Sequence, residues 1–200
     1  MYRYQQVKLD VISMMWIAGA VMISLYISTF SQTFPELFQQ GIFALLLMIS
    51  GLFLTAVISG LTWSPIVTET SFPFYVFVAI LGFFFANIAS ATAFQLTPYT
   101  EAPISPAMYA VLIGVSEEAF FRGFIQSFLG KLIGFKPVVI GLSAAVFAVY
   151  HAAVYGTSAE ALMTVFIGGL VFAAIMSMTN RLSITMTAHG IYNFLCFMAV

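Results

Sequence analysis

The chain has 200 residues, 62% of them hydrophobic and 6% charged, with 22 Phe and a mean hydropathy of +1.07. Against the roughly 25% charged content of an average soluble domain, this excludes a soluble globular protein and marks a polytopic membrane protein. A formal net charge of −1 gives no basis for nucleic-acid binding, and the lone cysteine, Cys196, excludes an internal disulfide.

Apolar stretches run approximately over residues 10–30, 41–62, 72–94, 106–130, 137–155, 158–178 and 182–200, each long enough to cross ~30 Å of hydrocarbon as a helix. The expected fold is all-α: a single polytopic helix bundle over residues 1–200 with about seven transmembrane helices. Arg3 and Lys8 ahead of an apolar run, with Ala18-Gly19-Ala20 after it, imitate a signal peptide. The run continues to Phe30, longer than such a segment, so a retained first helix is expected. Ser105 with Pro106 predicts a helix start, and Thr157 with Glu160 has capping-box spacing. Small residues four apart, Ala144/Ala148/Ala152 and Gly169/Ala173, predict close packing of the fifth and sixth stretches. Trp16 and Trp63 fit interfacial anchors, and segments such as Phe83-Phe84-Phe85 fit lipid-facing or packing surface.

Lys and Arg favour the cytoplasmic side of short loops. With the N-terminus cytoplasmic, Arg3, Lys8, Lys131, Lys136 and Arg181 all fall on that side. Glu36, Glu101 and Glu160 fall opposite, and Glu69 does not. Only Arg122 is left inside a span, with Glu117 and Glu118 beside it.

Ionisable groups inside a membrane are costly and persist mainly where they pair or do chemistry. On a helix Glu118 and Arg122, four apart, share a face and can form an ion pair that offsets the cost of burying either. Glu117 lies about 100° round and faces another part of the bundle. A carboxylate left less paired in a low-dielectric site suits a general base or acid. Counted at ~1.5 Å per residue from the cytoplasmic ends, Glu117 lies ~20 Å deep, His151 ~21 Å, His189 ~10 Å and Asn193 ~16 Å. Four polar side chains from three helices can thus meet in one inner cavity. A purely structural ion-pair network and hydrogen-bonded packing histidines are the bland alternatives, which the joint spacing disfavours.

Glu117-Glu118-Ala-Phe-Phe-Arg122 resembles the EExxxR motif, Phe147-Ala-Val-Tyr-His151 the FxxxH motif and His189-Gly-Ile-Tyr-Asn193 the HxxxN motif of the CPBP family of intramembrane proteases. That family includes the type II CAAX prenyl endopeptidases. The motif-bearing core is about 106–200, and the first three stretches carry no matching signature. The resemblance implies hydrolysis of a peptide bond in a membrane-anchored peptide or protein, with water activated by Glu117 and His151. His189 and Asn193 would stabilise the oxyanion. Glu118 and Arg122 would be a structural ion pair.

Glu117, His151 and His189 would be the ligands if zinc took part, but no HExxH is present and no obligatory cofactor is expected. Beyond membrane lipid and the substrate, no partner is implied, and oligomeric state stays open. The compact chain suggests a prokaryotic plasma membrane. The rival from another class is a proton-coupled transporter or channel with Glu117, His151 and His189 as a relay, though paired halves with broken helices are absent from the sequence. A non-catalytic immunity or scaffold member of the same fold is a third reading.

Overall fold

A computed structural model describes residues 6–29, 35–63, 72–78, 81 and 104–198. Among these the chain is predominantly helical. Helix α1 spans Val11–Thr29 and α2 spans Pro35–Ser59. Helix α3, Ile104–Glu117, runs into a π-helical segment, Glu118–Ile125, and continues as α4, Gln126–Ile133. Helices α5, α6 and α7 span Lys136–Tyr155, Ala159–Thr179 and Leu182–Met198. Of the predicted third stretch, residues 72–78 and 81 are helical and the remainder, with Phe83-Phe84-Phe85, lies outside the described residues.

Among the described residues three helical segments are long and apolar enough to cross a membrane: Gln39–Ser59, Lys136–Ala153 and Ala159–Thr179. The apolar part of α1, Val11–Tyr26, is shorter. Large hydrophobic side chains stay on the outside, including Met15, Met22, Phe53, Val57, Leu132 and Val149. An apolar surface of this extent is that of an integral membrane protein.

The all-α expectation needs one addition. Val7–Leu9 (β1) pairs in parallel with Leu61–Trp63 (β2), and Lys8 also bridges Arg181. The pair satisfies backbone groups where α1 begins and α2 has ended, a need that three-residue segments do not advertise in sequence. The chain ends that carry Lys8, Lys136 and Arg181 gather at one end of the bundle: Lys8 N–H donates to Asn180 O at 2.7 Å, and Lys136 Nζ donates to Ser177 O at 3.4 Å.

Local signals explain most boundaries. Asp10 caps α1, its Oδ1 accepting from the Ser13 N–H at 2.9 Å. Helix α6 ends at Asn180, whose φ of 54° is the left-handed cap conformation and whose N–H returns to Met176 O. The capping box expected at Thr157 is displaced by one residue. Ser158 is the N-cap of α6 and accepts from Ala161 N–H at 3.4 Å, because Gly156 and Thr157 are spent on the preceding turn. Helix α3 begins at Ile104, so Ser105 lies inside it rather than capping it.

The small-residue rows pack as expected: a Cβ on Gly169 would stand 3.2 Å from Ala144 Cα, so α5 and α6 meet almost backbone to backbone. A closer approach, not foreseen, occurs in the N-terminal half. A Cβ on Gly51 of α2 would stand 2.6 Å from Phe120 Cα and 2.7 Å from Phe120 N, in the π-helical segment. One turn on, Thr55 faces Gly123.

Candidate active site

Glu117 closes α3 and Glu118 opens the π-helical segment, both buried. The wider π turn keeps its backbone satisfied by i→i−5 bonds, as from Gln126 N–H to Phe121 O. It does not prevent the predicted pairing. Arg122 Nε lies 3.3 Å from Glu118 Oε2, with both side chains fully buried. Arg122 Nη1 donates to Ser143 Oγ at 3.3 Å, and its guanidinium sits 4.8 Å from the Phe147 ring centroid.

Both oxygens of Glu117 face a histidine. Oε1 is 3.4 Å from His151 Nε2 on α5, and Oε2 is 3.8 Å from His189 Nε2 on α7. Each imidazole is oriented through its other nitrogen. His151 Nδ1 donates to Phe147 O at 2.9 Å, one helical turn back, while His189 Nδ1 donates to Glu118 Oε1 at 2.9 Å. The second glutamate therefore does more than pair with Arg122: it holds the ring that faces the first.

Asn193 lies one turn beyond His189, and its Nδ2 donates to Ala110 O on α3 at 2.9 Å. It comes this close because position 114 is glycine. A Cβ there would stand 2.9 Å from Asn193 Nδ2 and 3.0 Å from His189 Cδ2. Since Gly114 is three residues before Glu117, the same helix face presents the gap and the carboxylate. All six residues expected at the site thus lie in one polar cluster: Glu117, Glu118, Arg122 and His189 are buried, and His151 and Asn193 are partly exposed.

The predicted depths of His189 and Asn193 are corrected. Counting from the ends placed them nearer the cytoplasmic face than Glu117, yet His189 is level with the glutamates and Asn193 reaches past them to Ala110. The count assumed that all helices start at one plane. In fact Leu182, the first residue of α7, is fully buried and lies beside Gly123, so α4 extends beyond the level at which α7 begins.

Several contributors escaped the sequence reading. Phe172 on α6 lies against the His189 ring at 5.0 Å between centroids, and Phe121 meets Phe147 edge-on at 5.0 Å. Trp16, read as an interfacial anchor, instead donates from Nε1 to Thr187 Oγ1 on α7 at 2.6 Å. Gly51 and Gly114 had no visible signal, because a glycine required by a neighbouring backbone looks like any other in an apolar helix. Among the described residues no trio of His, Cys, Asp and Glu is arranged to hold a metal ion.

The family model described as Rce1-like, type II CAAX prenyl endopeptidase, matches residues 100–195. No curated protein and no solved structure matches the chain. The matched segment contains all three motifs, so over that segment the chain is similar to the CPBP, or CAAX protease, family.

Proposed function

We propose that the protein is an intramembrane endopeptidase that cuts a membrane-anchored peptide or protein next to a lipid-modified, CAAX-type end. The observation that carries this reading is the position of Glu117, buried, with one histidine Nε2 facing each carboxylate oxygen. A water between Glu117 and His151 gives its proton to the carboxylate, and the resulting hydroxide attacks the scissile carbonyl carbon. The Asn193 amide and His189 Nε2 supply hydrogen bonds to the tetrahedral oxyanion, His189 carrying a proton on both nitrogens in that role. The C–N bond then breaks as Glu117 returns its proton to the leaving amine nitrogen. Glu118 and Arg122 keep the helix and the His189 ring in place.

In this reading no metal is needed, because base, water site and oxyanion donors are all side chains. The end of the bundle with Lys8, Lys136 and Arg181 faces the cytoplasm, by the charge rule, in a prokaryotic plasma membrane. Glu117→Gln tests the mechanism. The purified variant should fold in detergent and show no cleavage of a farnesylated CAAX peptide by mass spectrometry. Wild-type turnover in that variant would remove Glu117 as the base.

A further inference from the structure

The N-terminal half reaches the candidate site through α7. Asp10 is fully buried, and its two oxygens face different helices. Oδ1 accepts from the N–H and hydroxyl of Ser13 at 2.9 and 3.0 Å, within α1. Oδ2 accepts from the Ser183 hydroxyl at 2.6 Å and lies 3.6 Å from Arg181 Nη1, at the start of α7. The short hydroxyl–carboxylate contact is charge-assisted and directional. Nearly two turns along α1, Trp16 donates to Thr187 and its ring lies 3.1 Å from where a Cβ on Gly190 would stand.

Ser183, Thr187 and Gly190 fall on one face of α7, and His189 and Asn193 lie about 100° round from it. Contacts at the first turn fix the height of α7, and contacts a turn or two later fix its rotation. Height and rotation decide whether His189 meets the glutamates and whether Asn193 meets Ala110.

We propose that Asp10 is a positioning residue for the reaction: through Ser183 it sets the register of α7 and so aims His189 and Asn193. The inference rests on the reading of those two side chains as oxyanion donors. Asp10 itself touches no reacting atom.

The test uses the full chain in detergent micelles with a farnesylated CAAX peptide, comparing Ser183→Ala, Ser183→Thr and Asp10→Asn, and Ser183→Ala combined with Asn193→Ala. Ser183→Ala should lower kcat on the order of 10- to 100-fold with KM little changed, since a small misplacement of catalytic groups is costly. Ser183→Thr keeps the hydroxyl and should restore most of kcat. Asp10→Asn keeps an acceptor for Ser13 but not the carboxylate for Ser183, and should fall in kcat as Ser183→Ala does. In the Asn193→Ala background, Ser183→Ala should cost less than it does in the wild type, because one of the two groups it aims is already gone and only His189 is left to be misplaced. Wild-type kcat in Ser183→Ala beside an inactive Asn193→Ala would overturn the positioning role, as would losses that track folded yield alone or multiply in the double variant. Wild-type kcat in both His189→Ala and Asn193→Ala would instead sink the oxyanion reading, and this inference with it.

Discussion

Glu118 Oε1 accepts from His189 Nδ1 at 2.9 Å while Oε2 of the same carboxylate pairs with Arg122 at 3.3 Å. One side chain thus links the structural ion pair to the ring that faces Glu117, and substitutions on its two sides should have different signatures. Arg122→Ala leaves a buried carboxylate without its cation and should cost about 3–5 kcal/mol, read as lost yield and a lower Tm in detergent. Glu118→Gln should lower Tm as well, and among the molecules that remain folded it should also lower kcat, because the carboxylate no longer orients His189. A folded, fully active Glu118→Gln protein would return that residue to a purely structural role.

The two buried glycines should fail in opposite ways. At Gly51 an added methyl meets the backbone of Phe120 at 2.6 Å, which cannot move without displacing the π-helical segment. Gly51→Ala should therefore destabilise the fold by overpacking, on the order of 1–3 kcal/mol, visible as a lower Tm. An unchanged Tm would mean that α2 and the π segment are not in this contact.

At Gly114 the same methyl meets the amide end of Asn193 at 2.9 Å, and that side chain can rotate away. Gly114→Ala should keep most of its thermal stability but lose kcat, on the order of 100-fold for a displacement near 1 Å. Equal losses of Tm and kcat would argue that the contact serves packing alone.

Metal removal separates two chemistries that use the same side chains. Protein passed through exhaustive chelation should retain its cleavage rate, with zinc near zero by elemental analysis. Activity lost on chelation and restored by zinc would make Glu117, His151 and His189 a ligand set and would replace the water-activation scheme.

The polar cluster was legible in the sequence because intramembrane charge is rare enough to be informative: Glu117, Glu118, Arg122, His151, His189 and Asn193 lie together, as their spacing predicts. The Glu118–Arg122 pair follows from helical spacing alone. What spacing could not give was relative height, since a helix such as α7 can start inside the bundle. Nor could it give the π-helical turn, which leaves the i, i+4 pairing of Glu118 and Arg122 in place. Trp16 shows a third limit. Near a span end an aromatic residue fits a headgroup anchor, and only the partner, Thr187, distinguishes an interior contact.

The family resemblance covers residues 100–195, yet the surfaces that shape the site come partly from before it: Asp10 and Trp16 against α7, Gly51 and Thr55 against the π-helical segment. The recognisable segment is therefore not a transplantable module. Grafted onto foreign leading helices, it would carry all six polar side chains of the cluster and still lack the shoulder against which the π turn seats and the contacts that Asp10 and Trp16 make with α7. A working chimera would have to bring those four residues along, or reinvent them.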